Sequence, residues 1–473
     1  MNEPAGRDGG EAVLAACRSL GVDVIFCSSG SEWAPVWEAL ARQERDGTAG
    51  PRYLDLLHET LAVAMATGYS LVTRRPQLVL LHAGPGLLQG ANGIHGALLS
   101  NVPMVVCSAE SLSYGEGDLD PGSQWYRNLS MVGGPQAFAA PFVKWSNQAA
   151  TSAVAHGMVI RAAELAQRAP AGPVYLNIPV EALLEPWTPP ASDRPVPPPG
   201  ETVAAPGDVT AVAATLAAAR KPLIITESAG RDPQAFGALT ELAEALAIGV
   251  VEPQSAVCAN FPATHPLYQG EQAGRLAAEE TQASAADGID AAHLVATLRE
   301  LLDPDAAVVD ETITHSRVVR NHLRSDRAGR YRYVQGGLGQ GIGVALGVKL
   351  AEPDREVALV AGDGSFLYNP VVQSLAASAQ LGLPVLIVVF NNHEYRSMKL
   401  NHLRFYPDGA AVTTGRFHGV DLSGQPELAE LAAPFQMAGF SVSQPGELHA
   451  TLTEALKTVR DGRSALVNVH VTR

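Results

Sequence analysis

The amino-acid sequence predicts an α/β fold in which parallel, buried strands alternate with helices. Residues 357–395 begin with an apolar, β-branched run, continue as a helix-length segment and finish with a second apolar run at 384–390. Two such runs joined by a helical segment are typical of a βαβ unit with parallel strands. Residues 22–27 form another short apolar run, and a helical segment at 33–42 follows it after a turn. The chain thus repeats a strand–turn–helix pattern, which is typical of an α/β sheet.

Length, composition and charge limit the class of protein. The chain has 473 residues, enough for two or three domains, and its 47% hydrophobic and 17% charged content is typical of a globular protein. The net charge of -15 argues against nucleic acid and anionic membrane surfaces as partners. No apolar run approaches transmembrane length and the N-terminus has no secretory pattern, so we expect a cytoplasmic protein. The cysteines have no metal-ligand spacing, so we expect buried free thiols. They are Cys17, Cys27, Cys107 and Cys258.

The first half of the chain carries polar residues next to predicted strands. Gly30 and Ser31 follow the strand at 22–27, in a turn where small residues face a ligand or simply cap a helix. Glu59 opens a helical segment, where an acid is stabilised by the helix dipole and is usually solvated. His82 follows the strand predicted at 77–81, a position that serves either structure or proton transfer. From the local sequence alone, Gly30, Ser31 and His82 therefore have both a structural and a functional interpretation, whereas Glu59 has a structural one.

The middle of the chain is expected to be short. Residues 111–136 are polar and glycine-rich, which predicts a long surface loop that covers an active site or contacts another subunit. The proline-rich segment 186–206 predicts a semi-rigid linker. A small α/β unit follows, with strands predicted at 222–226 and 249–252. The alanine- and acid-rich segment 269–290 lacks the strands of a full domain. Two explanations are open: the protein is a short variant, or the chain omits a stretch.

Asp363 and Asn392 follow the two strands of the βαβ unit at 357–395. A right-handed crossover brings both strand ends to the same edge of the sheet, where α/β proteins bind ligands. A carboxylate and an amide oxygen suit Mg²⁺, which is often shared with substrate phosphates. Gly362 and Gly364 would let the backbone approach a diphosphate at a helix N-terminus. Gly-Asp-Gly alone is a common turn, but the paired asparagines make the pattern specific.

These residues resemble the cofactor motif of the thiamine diphosphate (ThDP) enzymes, a Gly-Asp-Gly followed about one βαβ unit later by Asn-Asn. The family's metal ligands are the aspartate, the second asparagine and a main-chain oxygen two residues further on. The resemblance thus implies Mg²⁺ ligands at Asp363, Asn392 and the carbonyl of Glu394. Residues 58–86 are similar to the family's segment around its indispensable glutamate, which implies Glu59. The resemblance covers nearly the whole chain except the short middle region.

The resemblance also implies catalytic roles. In the family, a carboxyl group that is hydrogen-bonded to N1′ of the aminopyrimidine promotes the imino tautomer. The nitrogen of this tautomer takes the proton from C2 of the thiazolium and leaves an ylid. Glu59 matches that carboxyl group, and apolar surroundings would favour its protonated form. His82 stands where benzoylformate decarboxylase has an active-site histidine and synthases usually have a small residue, which favours a decarboxylase. Glu110 stands where the family commonly has glutamine, so a substrate preference cannot be transferred.

The resemblance implies further cofactor contacts at residues that match the family's cofactor-binding positions. Leu338 matches the bulky residue that bends ThDP into a V shape, and Gly336 would offer its carbonyl to the cofactor's amino group. Thr314 matches a diphosphate contact or is a helix cap. The glycine-rich segment 335–343 departs from GxGxxG and has no acidic ribose partner, which argues against a dinucleotide site. The implied cofactor-binding residues are Gly30, Ser31, Glu59, Thr314, Gly336, Leu338, Gly362, Gly364, Ser365 and Tyr395.

The implied architecture has two related ThDP-binding parallel-sheet domains flanking a shortened middle α/β domain. The expected divisions are a pyrimidine-binding domain at 1–187, a linker at 188–206, a middle domain at 207–289 and a domain for diphosphate and Mg²⁺ at 290–473. In the family the glutamate of one subunit faces the diphosphate site of another. A homodimer or homotetramer with active sites at the subunit interface is therefore expected.

The function implied first is the non-oxidative decarboxylation of a small-molecule 2-oxo acid, through the C2 ylid and the carbanion left by CO₂. It is motivated by His82. The alternative is an acetolactate-synthase-like carboligase, which would join that carbanion to a second carbonyl. A non-catalytic ThDP-binding relative is a third hypothesis, because the middle region is short and Glu110 departs from the family. An FAD-dependent enzyme has the least support.

Overall fold

The structure of the protein is a computed structural model that describes residues 7–112, 133–191, 196–200, 202–271 and 273–472. These residues form two compact units. The first comprises residues 1–202 together with 335–337, and the second comprises 203–334 and 338–473. Most of the loop predicted at 111–136 lies outside the described residues.

The first unit is built on a six-stranded, all-parallel sheet. Its strands are β1 (Val24–Ser28), β2 (Arg52–Leu56), β3 (Gln77–Leu80), β4 (Met104–Ser108), β5 (Ser146–Gln148) and β6 (Pro173–Asn177). Their order in space is β2-β1-β3-β4-β6-β5. The four inner strands are buried along their whole length, as expected of parallel strands covered on both faces.

Helices connect and cover these strands. They are α1 (Gly9–Leu20), α2 (Ala34–Arg45), α3 (Glu59–Thr73), α4 (Pro85–Leu99), α5 (Pro135–Ala139), α6 (Ser152–Gln167) and α7 (Val180–Leu184). On one face, α1 and α6 pack together over a core of small and aliphatic side chains. Helix α4 begins at Pro85, although the apolar pattern of the sequence predicts a helix only from residue 92. Proline at the first helical position favours this earlier start, because its missing N–H is not needed there.

The second unit begins with a small α/β segment. Its parallel two-stranded sheet consists of β7 (Leu223–Ile225) and β8 (Gly249–Val251), close to the predicted strands. Helices α8 (Pro206–Ala218), α9 (Pro233–Leu246) and α10 (Ala273–Ser284) belong to the same segment. The alanine- and acid-rich region at 269–290 therefore contains a helix. Between β8 and α10, the described residues contain no further named strand.

The remainder of the second unit is another six-stranded parallel sheet. Its strands are β9 (Ala307–Glu311), β10 (Tyr331–Tyr333), β11 (Val357–Gly362), β12 (Leu386–Asn391), β13 (Ala438–Val442) and β14 (Ala465–His470). The order in space, β10-β9-β11-β12-β14-β13, repeats the connectivity of the first sheet. The predicted fold class, α/β with two parallel-sheet domains around a short middle segment, is confirmed.

The helices of this second large sheet complete the fold. They are α11 (Ala291–Leu301), α12 (Ser316–Leu323), α13 (Gly341–Ala351), α14 (Asp363–Tyr368), α15 (Val371–Leu381), α16 (Arg396–Phe405), α17 (Ala410–Thr414) and α18 (Pro445–Arg460). A 3₁₀ helix at Leu428–Phe435 precedes β13. The four cysteines are buried and unpaired, as predicted. None of the described helices is both long and apolar enough to cross a membrane.

Candidate active site

The carboxyl edge of the first sheet brings together Gly30, Glu59 and His82. Gly30 follows β1, and a Cβ atom there would lie 2.2 Å from the His82 Nδ1 atom. A Cβ atom on Gly86, at the start of α4, would lie 2.9 Å from the His82 Cβ and 3.2 Å from a Glu59 carboxyl oxygen. The two glycines therefore leave room for a histidine and a carboxyl group at one position on the edge. Ser31, in contrast, is exposed at the start of a 3₁₀ helix.

Glu59 is the first residue of α3 and is half-buried. The residue before it, His58, caps the helix by accepting a 3.1 Å hydrogen bond from the Thr60 N–H. Because the cap is supplied by His58, the Glu59 carboxyl group is not needed to hold the helix terminus. It remains available at the edge of the sheet, next to the position of Gly86 and His82.

His82 has a partner that the sequence did not suggest. Its Nδ1 atom lies 2.8 Å from the Oε1 atom of Glu32, a residue that is only 1% exposed. The same Glu32 oxygen accepts a 2.7 Å hydrogen bond from the Ala83 N–H. The hydrogen bond to Glu32 raises the pKa of His82 above its usual value, partial burial opposes that shift, and the charges of Glu32 and Glu59 add to it. The first edge therefore favours a protonated imidazole.

The second sheet carries the predicted metal-binding residues. Strands β11 and β12 are parallel neighbours, so Asp363 and Asn392 follow adjacent strand ends. One carboxyl oxygen of Asp363 accepts a 2.8 Å hydrogen bond from the Gly364 N–H. The other oxygen, Oδ2, is buried without a hydrogen-bond partner in the described part of the chain. Burial raises the pKa of Asp363 to about 6.

The residues after β12 form a tight turn around these oxygens. The Asn392 side-chain oxygen accepts a 3.0 Å hydrogen bond from the Glu394 N–H. The Glu394 carboxylate is held by Lys399 at 2.7 Å and Arg396 at 3.1 Å, and its carbonyl accepts from the Arg396 N–H at 2.9 Å. Two cations thus neutralise the Glu394 side chain, while its main-chain oxygen keeps a second lone pair for a ligand.

Asp363 also lies among residues suited to a diphosphate. A Cβ atom on Gly364 would lie 2.4 Å from the Tyr395 ring, so the ring lies directly against the backbone of that glycine. Ser365 is buried in the first turn of α14. Thr314 is half-buried in a 3₁₀ helix at Ile313–His315. The structure places Gly362 at the end of β11, where its Cβ would have only ordinary contacts.

The glycine-rich segment between β10 and α13 has backbone angles that favour glycine. Gly336, Gly337 and Gly339 have φ values of 92°, 122° and 92°, which side-chain-bearing residues rarely adopt. Leu338, predicted to contact the cofactor, lies within this run. The fully buried Glu311 contacts the end of this segment. Its carboxyl oxygens accept hydrogen bonds from the Gln340 N–H and the Asn369 side-chain amide, both at 2.9 Å. Burial raises the pKa of Glu311 to about 7.

These features fit the cofactor that the sequence motif implies. A buried carboxylate oxygen without a partner is a suitable ligand for a divalent cation, since a bound cation would supply the missing interaction. On the edge of the second sheet, the space beside the Gly362 backbone would admit a Cβ atom without close contacts, whereas the Tyr395 ring lies against the backbone of Gly364. No group of three histidine, cysteine or acidic side chains suited to a metal occurs among the described residues, so the fit depends on amide and main-chain oxygens.

Comparison with known proteins decides the family. Residues 7–131 match the model of the N-terminal TPP binding domain of thiamine pyrophosphate enzymes, and residues 313–469 match that of the C-terminal TPP binding domain. The chain belongs to the thiamine diphosphate-dependent enzyme family. Thiamine pyrophosphate is another name for ThDP, and the predicted family and class of cofactor are thereby confirmed.

Several members of the family are similar to this chain over most of their length. The acetolactate synthase large subunit of Parasynechococcus marenigrum is 25% identical over 576 aligned positions, covering 100% of this chain and 89% of that protein. The benzoylformate decarboxylase of Pseudomonas aeruginosa is 23% identical, covering 81% and 85%. Among solved structures, a 4-hydroxybenzoylformate decarboxylase of Rhodococcus jostii RHA1 superposes with a TM-score of 0.81 at 22% identity, covering 98% and 99%. This last likeness shows the shared fold.

Two residues at the edges were missed by sequence reasoning. Glu32 follows the Gly30-Ser31 pair directly, but an acid at that position is normally read as a polar turn residue. Glu311 lies in a stretch considered only for Thr314. The usable signal was the same for both: each acid lies at or just after the end of a parallel strand, where the fold gathers functional side chains.

Proposed function

We propose that the protein is a ThDP- and Mg²⁺-dependent, non-oxidative decarboxylase of a small 2-oxo acid. The observation that carries this proposal is His82, held at the first edge beside Glu32 and near Glu59. Decarboxylation of a 2-oxo acid to an aldehyde requires a proton for the carbon that loses CO₂. A partly exposed imidazole with a raised pKa is suited to supply it.

The proposed roles of the other residues follow from their positions. When bound, ThDP supplies a thiazolium that accepts the electron pair released as CO₂ leaves. Glu59 would hydrogen-bond the aminopyrimidine ring. Asp363, Asn392 and the Glu394 carbonyl would hold Mg²⁺, and the unpartnered Oδ2 of Asp363 supports that assignment. The proposed diphosphate and ring contacts are Gly30, Ser31, Thr314, Gly336, Leu338, Gly362, Gly364, Ser365 and Tyr395.

We also propose the division of the chain and its assembly. Residues 1–187 would bind the pyrimidine, 290–473 the diphosphate and Mg²⁺, with a linker at 188–206 and a short middle domain at 207–289. Active sites would form between subunits of a homodimer or homotetramer. Two observations support this arrangement: the two large sheets have the same strand connectivity, and each has some of the proposed catalytic or metal-binding groups at its carboxyl edge.

A carboligase is the second candidate function. It is favoured by the similarity to acetolactate synthase, which spans all of this chain. A carboligase would use the released electron pair to form a bond to a second carbonyl carbon, and so would not need to protonate the first carbon. The two candidates therefore differ in what happens to one carbon atom of the substrate.

The test is the release of CO₂ from a panel of aliphatic and aromatic 2-oxo acids, in the presence of ThDP and Mg²⁺, with identification of the organic product. We expect an aldehyde with one carbon fewer than the substrate. A 2-hydroxy ketone or 2-hydroxy-2-methyl-3-oxo acid would assign the protein to the carboligases instead. Bound ThDP without turnover of any substrate would contradict the decarboxylase proposal and support a non-catalytic member of the family.

A further inference from the structure

Glu32 is buried in an unusual way for a carboxyl group. Its side chain is 0% exposed, and its Oε1 atom accepts hydrogen bonds from the His82 ring and the Ala83 N–H. Its Oε2 atom is buried and has no hydrogen-bond partner among the residues that the structure describes. Burying a carboxylate is costly unless a positive charge compensates it. Among its hydrogen-bond partners, the one able to carry that charge is His82.

The contact decides which nitrogen of His82 can exchange protons. An ionised carboxylate only accepts hydrogen bonds, so the Nδ1 atom of His82 must carry the hydrogen that points at Glu32. The Nε2 atom is then the nitrogen that can gain and lose a proton. The His82 side chain is 27% exposed, whereas Glu32 is fully enclosed. A ligand at this edge can therefore reach the histidine but not the carboxylate behind it.

The charges around His82 also raise its pKa. Two carboxyl groups influence His82: Glu32, from the 3₁₀ helix at Ser31–Trp33, and Glu59, from α3. The Cys27 thiol on β1 is influenced by Glu32 as well, and burial raises its pKa to about 12, so it stays neutral. Both charged neighbours favour the imidazolium form of His82.

We propose that Glu32 is a positioning residue that holds His82 with a hydrogen on Nδ1 and keeps it ready to donate a proton from Nε2. This inference rests on the proposed decarboxylase function. When the C–C bond to the carboxylate carbon breaks, CO₂ leaves and the electron pair of that bond stays with the rest of the substrate. The carbon that has lost CO₂ then uses this pair to form a new C–H bond with the proton from Nε2. His82 becomes neutral, still bonded to Glu32 through Nδ1, and takes its next proton from water.

The experiment compares wild-type protein with Glu32→Gln and with a matched control, Glu38→Gln. Glutamine keeps an oxygen for the His82 and Ala83 hydrogen bonds but removes the charge. Glu38 is on α2 of the same unit, but its side chain is 61% exposed. Each protein carries ¹³Cε1- and ¹⁵N-labelled histidine, and NMR follows the His82 signal with pH. A His82→Gln spectrum assigns that signal among the 13 histidines.

We expect the neutral form of wild-type His82 to carry its hydrogen on Nδ1. In Glu32→Gln, we expect the His82 midpoint to fall by about one pH unit, a tenfold loss of proton affinity. The high-pH limb of the kcat/KM profile should move down with it, while the affinity for ThDP stays unchanged. Glu38→Gln should match wild type in all three measurements. Glu32→Asp, which keeps the charge on a shorter side chain, should restore most of the shift.

Two results would overturn the inference. One is a wild-type His82 whose neutral form carries its hydrogen on Nε2, a measurement that needs no variant and holds even if Glu32→Gln fails to fold. The other is a midpoint in Glu32→Gln equal to that of wild type. If the midpoint falls but no 2-oxo acid yields an aldehyde, the coupling of Glu32 to His82 stands and the decarboxylase proposal fails.

Discussion

The carboxyl edges of the two six-stranded sheets are built from the same strand connectivity but carry different functional groups. Both sheets have the same strand connectivity, so equivalent strand ends meet at each edge. The first edge holds an imidazole between carboxyl groups, Glu32 and Glu59. The second holds the oxygens of Asp363 and Asn392, with Oδ2 of Asp363 left without a partner among the described residues. The first set can move protons, whereas the second can hold a cation.

This difference shows what the fold contributes and what it does not. The parallel sheet determines where a strand ends and therefore where a polar side chain can be enclosed. It does not determine the residue type. The first edge places an imidazole, a group that changes charge near neutral pH, beside carboxyl groups, and the second places a carboxyl and an amide oxygen that suit Mg²⁺ once Asp363 is ionised. Substitutions at the two edges should therefore have different signatures.

The largest effect on turnover is expected at the first edge. Glu59→Gln removes the proposed proton relay but keeps the size of the side chain, so we expect kcat to fall by about 10²- to 10⁴-fold. ThDP should still bind with an affinity close to that of wild type, because the proposed Mg²⁺ and diphosphate contacts lie at the second edge. Steady-state kinetics and calorimetric titration with ThDP measure the two quantities. A variant that loses ThDP binding instead would show that Glu59 serves to hold the cofactor.

At the second edge we expect the opposite result. Asp363→Asn keeps the shape and the hydrogen bond from Gly364 but removes the charge that a divalent cation needs. The affinity for ThDP in the presence of Mg²⁺ should fall by about 100-fold or more. Turnover should recover partly at high cofactor concentration. The matched control is Asp354→Asn, which changes an acid in an exposed turn of the same unit. Equal ThDP affinity in Asp363→Asn and wild type would contradict the metal assignment.

Mixing the two variants tests whether the edges meet between subunits. If each active site takes Glu59 from one subunit and Asp363 from another, a mixed dimer of Glu59→Gln and Asp363→Asn has one intact site and one doubly altered site. Random exchange makes half of the dimers mixed, so about a quarter of wild-type activity should return. Sites built from one subunit would give no recovery. A mixture of Glu59→Gln with His82→Gln is the control, since both changes affect the first edge and neither site would be intact.

The sequence was sufficient for much of the fold and for the residues at the ends of strongly apolar strands. β11 and β12 are continuous apolar runs, so their ends at Gly362 and Asn391 could be located within a residue. β2 was missed because its five residues include the exposed Arg52 and Asp55 and form no continuous apolar run, and β10 because it has only three residues. The local pattern of an edge strand resembles that of a loop.

The enclosed acids could not be recognised from local sequence. Glu32 is buried because His82, 50 positions away, and the backbone of Ala83 lie against it. Glu311 is enclosed by the N–H of Gln340 and the amide of Asn369, which come from other segments. In both cases the partners are distant along the chain, so the burial that gives the acid its properties appears only when the segments pack.

The smallest expected effect concerns the stability of the apo protein and the buried acid Glu311. Its pKa is raised from 4.5 to about 7, so between these values the folded chain holds a proton that the unfolded chain has released. This contribution to stability is complete below about pH 4.5 and is lost as the pH rises to about 7, by up to about 3 kcal/mol.

Glu311→Gln should remove that contribution, because a glutamine amide does not titrate. We expect the difference between the melting temperatures at pH 5 and pH 7 to shrink by a few degrees relative to wild type. Scanning calorimetry of both proteins, without ThDP or Mg²⁺, measures it. Other buried acids such as Asp310 titrate with the same sign, so the comparison between the proteins, rather than the wild-type slope alone, isolates Glu311. Glu300→Gln, at an exposed position on the neighbouring helix α11, should leave the difference unchanged. An unaltered difference in Glu311→Gln would mean that this carboxyl group stays ionised when it packs against Gln340 and Asn369, and the second edge would then contain a fixed charge instead of a titrating one.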